Sequence, residues 1–216
     1  SRIIGPNCMG IYCPEAGFNT VVPYIGGLTE ESGDVAFVAQ SGWVCEYIIV
    51  IGCERGLRFS KVLSIGNQSD LTFVDFLEYF GSDPKTSIIS AYLEGVKRGR
   101  DLIDMAKKIS RKKPIIIWKA GRTGAGTKAI ASHTGSLAGD HVIHEAVFKQ
   151  AGIITAQEIE ELLVLSIAFK SPYLPKGNKV GIIVGAGGAG VAAADACESF
   201  GLKVADLPEE AQLELK

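Results

Sequence analysis

The chain has 216 residues, and its 22 lysines and arginines against 24 aspartates and glutamates give a formal net charge of −2. Because it has no basic excess with which to follow phosphates, we expect neither a nucleic-acid binder nor a membrane-surface protein. Apolar residues make up 47% of the sequence, and the length suffices for one domain and part of a second. Glycine is the outlier, because its 26 residues are about 12% of the chain, against roughly 7% in average proteins. This excess predicts turns and loops of close backbone approach, and function is expected there.

The sequence predicts neither a membrane span nor a signal peptide. No run reaches the roughly 18 apolar residues that a membrane helix needs, and the start lacks the residue order of a secretory signal. The chain begins at Ser1 without an initiator methionine, so we expect an excised piece of a longer protein. Its five cysteines are odd in number and form no C-x-x-C pair, which predicts free thiols, no metal site and a cytoplasmic location.

Apolar strands alternate with helices along most of the chain. Strands are predicted at residues 35–39, 59–65, 87–93, 114–119 and 152–155. Helices are predicted at residues 43–52, 70–80, 101–112, 140–151 and 157–169. Near-continuous apolar strands separated by helices are typical of a parallel sheet covered on both faces. The predicted fold class is therefore α/β.

A stretch of chain breakers, residues 172–178, predicts a linker. The sequence after it predicts a strand, a glycine loop, a helix and a second strand, at residues 179–184, 185–190, 191–200 and 202–207. This pattern is that of the start of a second α/β unit.

Glycine loops follow several of the predicted strands. Open parallel sheets bind ligands beyond the carboxyl ends of their strands, which is where Gln40-Ser41-Gly42 and Leu93-Glu94-Gly95 lie. Free backbone N–H groups at the start of a helix favour an anion, above all phosphate, and the Ser41 hydroxyl adds a donor. The same residues fit a second interpretation, in which Ser41 is only the N-cap of the helix.

Residues 185–190 match the pattern G-x-G-x-x-G between a predicted strand and a predicted helix, and Asp206 follows 21 residues after Gly185. One interpretation is a dinucleotide site that binds NAD. The few residues after Asp206 favour instead a phosphate-facing loop.

His133 lies among small residues, after a polar loop predicted over residues 121–128. Imidazole is a competent nucleophile near neutral pH. It needs one free nitrogen and an acceptor for the other, which Glu94 at the end of another strand can supply. A surface-loop histidine without a chemical role is the alternative. His141 and His144 are predicted on a helix surface, and the three histidines form no recognisable metal-ligand set.

These motifs, in this order, resemble those of the nucleoside-diphosphate-forming acyl-CoA synthetases, relatives of the succinyl-CoA synthetase alpha subunit. The matching segments are G-P-N-C at 5–8, Q-S-G at 40–42, G-N at 66–67, L-E-G at 93–95, S-H-T-G-S at 132–136 and A-G-G-x-G at 186–190. The resemblance implies a flavodoxin-like domain over residues 13–171 that carries a phosphohistidine. It also implies the end of a CoA-binding domain at residues 1–12 and a truncated second CoA-ligase-type module at residues 179–216.

The resemblance further implies a reaction that interconverts a carboxylic acid, CoA and ATP with acyl-CoA, ADP and phosphate, through an acyl phosphate and a phosphohistidine. The implied roles are catalysis for His133 and Glu94, phosphate binding for Gln40, Ser41, Gly42, Gly187 and Gly188, and a place near CoA for Asn7 and Cys8. A buried, inert thiol is the alternative for Cys8. Mg-bound ATP or ADP would bind an ATP-grasp domain or beta subunit, and an oligomer is expected. A regulatory module of the same family, an NAD-binding protein and a flavin-binding flavodoxin-like module remain as alternatives.

Overall fold

The computed structural model describes residues 1–21, 30–134, 139–171, 173, 175–206, 208 and 210–211, except the side chains of His133 and Thr134. The chain divides into two compact units, Ser1–Ser171 and Pro172–Lys216. Within the described ranges, no helix is both long and apolar enough to cross a membrane.

The first unit is built on a seven-stranded sheet. Its strands are β1 (Ile11–Cys13), β2 (Phe18–Asn19), β3 (Val35–Ala39), β4 (Phe59–Ser64), β5 (Ile88–Leu93), β6 (Ile115–Lys119) and β7 (Ile154–Ala156). They lie in the order β2-β1-β4-β3-β5-β6-β7. The neighbouring strands β4, β3, β5, β6 and β7 are parallel, whereas β1 pairs antiparallel with both β2 and β4. The predicted α/β, flavodoxin-like sheet is confirmed, and the short β1–β2 hairpin at its edge is an addition to it.

Helices cover both faces of this sheet. They are α1 (Gly42–Glu54), α2 (Phe73–Ser82), α3 (Gly99–Ile109), α4 (Gly124–Thr134), α5 (His141–Ala151) and α6 (Ile159–Phe169). One core contains Leu77 of α2, Leu102 of α3 and Phe148 of α5. The opposite core contains Ile49 of α1 and Leu162 of α6. The alternation of strand side chains between these cores fixes the register of the sheet.

The polar stretch after β6 corrects a prediction. The sequence predicts a loop over residues 121–128, whereas α4 begins at Gly124. The hydroxyl of Thr123 accepts a hydrogen bond from the Gly126 amide at 3.1 Å, which is the geometry of an N-cap. Ile130, in the middle of the helix, is buried. The glycines suggested a loop, but the cap and the buried apolar side chain outweigh their low helix propensity.

The second unit contains β8 (Lys179–Val180), α7 (Gly187–Ser199) and β9 (Lys203–Val204). The two strands are parallel and pair over two residues each, so both are shorter than predicted. Helix α7 begins at Gly187 rather than at residue 191, which places the predicted phosphate-binding glycines in its first turn. No residue of α7 is buried.

Candidate functional site at the carboxyl edge of the sheet

The centre of the candidate site is the crevice where β3 and β5 end. The chain runs from β3 to its neighbour β4 and then returns to β5 on the other side of β3. At such a reversal of strand order the connections on the two sides diverge, and open α/β sheets bind their ligands in the resulting crevice. Gln40 directly follows β3, and Glu94 directly follows β5. The structure therefore brings these two predicted site residues together.

Gln40 bridges the crevice and is almost fully buried. Its backbone N–H donates to the Tyr92 carbonyl at 3.2 Å, which extends the β3–β5 ladder by one bond. Its side-chain Oε1 accepts a hydrogen bond from the Gly95 N–H at 3.0 Å and another from the Glu94 N–H. The acceptor of the Gln40 amide is thus committed, while its Nε2 group remains a donor.

Glu94 is the buried carboxylate of the site, with 7% of its surface exposed. The hydroxyl of Tyr92 donates to its Oε1 at 3.3 Å. Tyr92 is itself held by an edge-to-face contact with Trp118, whose ring centroid is 4.7 Å away. Burial, and then the charge of Glu94, raise the pKa of Tyr92, so its hydroxyl stays protonated and remains a donor to the carboxylate.

Lys119 is a residue of this site that sequence analysis missed. It ends β6 in register with Leu93, one residue before Glu94. Its side chain is buried, and Nζ donates to the Ala120 carbonyl at 2.7 Å. Burial lowers the pKa of Lys119 to about 8, while the charge of Glu94 acts in the opposite direction. The signal in the sequence was a cationic residue closing an otherwise apolar strand at the ligand-binding edge.

Helix α1 begins at this edge, and its start is tightly packed. The Ser41 hydroxyl accepts from the Val44 N–H at 3.4 Å, so Ser41 is an N-cap. Its proton remains free to be donated, which leaves both interpretations of Ser41 compatible. A Cβ on Gly42 would lie 2.6 Å from the sulfur of Met9. The N-terminal segment therefore packs directly against the start of α1.

The structure places Asn7 beside the turn that follows β4, the strand next to β3. The Asn67 N–H donates to the Pro6 carbonyl at 3.0 Å, and Asn7 Nδ2 reaches Asn67 Oδ1 at 3.4 Å. Cys8 is exposed, so the alternative that this thiol is buried is wrong. The two residues predicted near CoA thus lie at the same edge of the sheet as the Gln40 loop.

The predicted nucleophile is only partly described. Position 133 lies in the last turn of α4, but the His133 side chain and residues 135–138 are outside the described residues. The contact of His133 with Glu94 stays a prediction. His141, predicted on a helix surface, is the first residue of α5, and 27% of its side chain is exposed. Its Nε2 accepts from Arg122 Nε at 3.3 Å. The described part of the chain contains no cluster of metal-ligating side chains.

Gly187 and Gly188 lie in the second unit, at the start of α7. The N-cap of α7 is Ala186, whose side chain makes no capping hydrogen bond. A Cβ at either glycine would meet nothing within 4 Å. Their backbone is therefore accessible, as a phosphate-binding loop requires. Phosphate binding by Gly187 and Gly188 stays a prediction.

Comparison with known proteins supports the resemblance. The family model of the succinyl-CoA ligase like flavodoxin domain matches residues 32–169. The chain is 45% identical over 215 residues to the alpha subunit of acetate–CoA ligase (ADP-forming) II of Pyrococcus furiosus, covering 100% of this chain and 46% of that protein. It is also 45% identical to acetate–CoA ligase (ADP-forming) of Methanocaldococcus jannaschii, covering 100% of this chain and 30% of that protein.

Comparison with solved structures finds the same kind of relative. A structure of dinucleotide forming acetyl-coenzyme A synthetase 1 of Ca. Korarchaeum cryptofilum, in complex with phosphate and ADP, superposes with a TM-score of 0.80. It is 38% identical, and the match covers 96% of this chain and 45% of that one. The chain thus spans less than half the length of these relatives. It belongs to the family of the succinyl-CoA ligase-like flavodoxin domain, as its motifs and its strand order indicated.

Proposed function

We propose that this chain is the phosphohistidine-bearing part of an ADP-forming acyl-CoA synthetase, an acid–thiol ligase. The observation that carries the proposal is the buried Glu94 carboxylate, fixed by Tyr92 and Gln40 at the strand crossover. Burying a carboxylate costs folding free energy, and buried ionisable groups of this kind are typical of catalytic sites. The relatives named above are ADP-forming CoA ligases, and one of them was solved with phosphate and ADP.

In the ATP-forming direction, an oxygen of phosphate attacks the acyl carbon of acyl-CoA, and the CoA thiolate leaves. A ring nitrogen of His133 then attacks the phosphorus of the acyl phosphate, and the bond from phosphorus to the carboxylate oxygen breaks. The carboxylate departs and phosphohistidine remains. The ring N–H of His133 donates a hydrogen bond to the Glu94 carboxylate, which stabilises the positive charge that develops on the ring. Transfer of the phosphoryl group to ADP completes the sequence, and every step is reversible.

The binding roles follow from the donors that remain available. We assign the first phosphate to the hydroxyl of Ser41, the amide N–H of Gly42 and the Nε2 group of Gln40, and the nucleotide-side phosphate to the N–H groups of Gly187 and Gly188. CoA is assigned to the face beside Asn7 and Cys8. Ser41 and Gly42 are partly exposed and Gly187 and Gly188 are exposed, so a ligand can reach them, whereas Gln40 is buried in the crevice beside Glu94.

The remaining parts of the reaction belong to the rest of the enzyme. Mg-bound ATP or ADP is assigned to an ATP-grasp domain or beta subunit, and the acid to a small carboxylic acid such as the acetate in the relatives' names. In this proposal residues 1–12 end a CoA-binding domain, residues 172–178 form a linker, residues 179–216 begin a second module, and the enzyme is a cytoplasmic oligomer. No described residue provides an acyl-specific pocket that we assign.

The test uses the full-length protein together with its nucleotide-binding part. Wild-type protein incubated with Mg²⁺ and ATP labelled at the γ-phosphate is expected to gain an acid-labile, base-stable phosphate. His133→Ala removes it. His144→Ala, which changes a histidine on the neighbouring helix α5, keeps it and is the matched control. Label retained in His133→Ala contradicts the proposed nucleophile, and absence of label in the wild type supports a regulatory module of the same family.

A further inference from the structure

Two backbone N–H groups at the end of β5 lack a strand partner and are satisfied by one side chain. The β3–β5 register runs from Val35 opposite Ile88 to Ala39 opposite Tyr92. Beyond it, β3 stops, because Ser41 caps α1 and the chain turns away. The N–H groups of Glu94 and Gly95 then point at Oε1 of Gln40. A carbonyl oxygen has two lone pairs and can accept both bonds.

Loss of the Gln40 acceptor would leave two buried N–H groups without a hydrogen-bond partner. Glu94, Gly95 and Gln40 are all buried, so water does not replace the lost acceptor. A buried N–H that is left without a partner destabilises the fold. The backbone at Glu94 is therefore held in place by the Gln40 side chain, while the Tyr92 hydroxyl holds the carboxylate itself. Glu94 is therefore restrained at two points, at its backbone by Gln40 and at its carboxylate by Tyr92.

We propose that Gln40 is a positioning residue, which acts through the backbone of Glu94 and Gly95 to aim the Glu94 carboxylate for phosphoryl transfer. This inference rests on the proposed function. It assigns to the Oε1 atom of Gln40 a role separate from phosphate binding, which only the Nε2 group can serve. Misplacing a catalytic group by a fraction of an ångström lowers rates strongly while leaving ligand affinity nearly unchanged.

The chain offers a matched control for the structural part of this role. Gln68 is also buried, and its Oε1 accepts a hydrogen bond from the Phe73 N–H at 2.8 Å, at the start of α2. Gln68→Met thus removes the same kind of bond as Gln40→Met. Gln40→Glu retains an oxygen that can accept from both N–H groups and removes the Nε2 donor.

Two measurements on the full-length protein with its nucleotide-binding part test the proposal. Amide hydrogen exchange reports on the N–H groups of Glu94 and Gly95, and single-turnover labelling from ATP reports on His133. Gln40→Met is expected to accelerate exchange at both amides at least about tenfold. It is also expected to slow labelling about 10- to 100-fold, with the half-saturating ATP concentration within about twofold of the wild type. Gln40→Glu restores exchange protection, and Gln68→Met leaves the labelling rate unchanged.

The outcomes separate this proposal from the proposed function. Labelling at the wild-type rate in Gln40→Met overturns the positioning role, as does unchanged exchange at Glu94 and Gly95. An equal loss of rate in Gln68→Met reduces the effect to general destabilisation and also overturns it. Wild-type protein that takes up no phosphate contradicts the proposed function, in which case the exchange data still report whether Gln40 holds the two amides.

Discussion

Helices α1 and α7 both begin at glycine-containing turns for which the sequence predicts phosphate binding. The two helix starts nevertheless differ in capping and in packing. At α1, Ser41 caps the helix and Met9 fills the space beside Gly42. At α7, the N-cap side chain makes no hydrogen bond, and nothing lies within 4 Å of a Cβ placed at Gly187 or Gly188. At the start of α1, Gly42 is required because a larger residue would overlap Met9. At the start of α7, Gly187 and Gly188 leave the backbone open to a ligand.

The comparison divides the glycine excess into two kinds of requirement. Some glycines permit close approach between segments of the protein, and their replacement costs stability. Others border open space, and their replacement affects only what binds there. The two kinds of glycine cannot be told apart in the sequence, but the effect of substitution on stability distinguishes them.

Gly66 is a glycine of the closely packed kind, and Gly66→Ala is expected to have the largest effect on stability. Gly66 has a φ of +49°, and a Cβ there would overlap the carbonyl oxygens of Pro6 and Asn7. Strain and backbone overlap together are expected to cost about 3 kcal/mol. Urea unfolding followed by the fluorescence of Trp43 and Trp118 measures this cost. A loss below about 1 kcal/mol would show that the N-terminal segment is not fixed to this turn.

A buried charge at the same edge gives the next largest effect. Because the pKa of Lys119 falls to about 8 in the folded chain, against 10.5 when unfolded, the charged amine destabilises the fold at neutral pH. Between pH 8 and 10.5 the unfolded chain binds more protons, so the stability of the wild type rises with pH. Lys119→Met is expected to gain about 2 kcal/mol below pH 8.

The pH dependence is the check on this prediction. The difference between Lys119→Met and the wild type is expected to shrink as the pH rises from 8 to 10.5. A constant difference over that range would mean that the side chain acts through packing rather than through its charge.

Gly42→Ala and Gly187→Ala compare the two helix starts directly. The first must displace the Met9 side chain and is expected to cost about 1.5 kcal/mol. The second adds a methyl group in open space at a helical position and is expected to gain about 0.5 kcal/mol. Hydrogen exchange in α1 and α7 measures each local stability. Equal effects at the two positions would abolish the distinction.

The smallest effect concerns the caps. Ser41→Ala removes the acceptor of the Val44 N–H and is expected to cost about 1 kcal/mol. Ala186→Ser supplies a cap where α7 has none and is expected to add about 0.5 kcal/mol. Thermal unfolding of both variants beside the wild type checks the two signs.

The sequence predicted the alternation of strands and helices because the periodicity of its apolar residues is strong. It did not predict α4, since the glycines at 124 and 126 look like a loop until the Thr123 cap is seen. It placed Gln40 and Glu94 at strand ends but gave no sign that one holds the other. That contact depends on which strands are neighbours, and strand order is a property of the whole sheet. The burial of Lys119 was hidden for the same reason.

The central claim is that the β3–β5 crevice, with Glu94 at its centre, is where phosphate is transferred. Its most direct test is single-turnover labelling of His133 from ATP in Glu94→Gln, measured in the full-length protein, with Glu145→Gln as the control for a half-exposed carboxylate on α5. The amide keeps the size of the side chain and removes its charge. We expect a rate at least about 100-fold lower in Glu94→Gln and a wild-type rate in the control. The unfolding midpoint of Glu94→Gln is expected to be no lower than that of the wild type, because the amide removes a buried charge. Labelling of Glu94→Gln at the wild-type rate would contradict the claim.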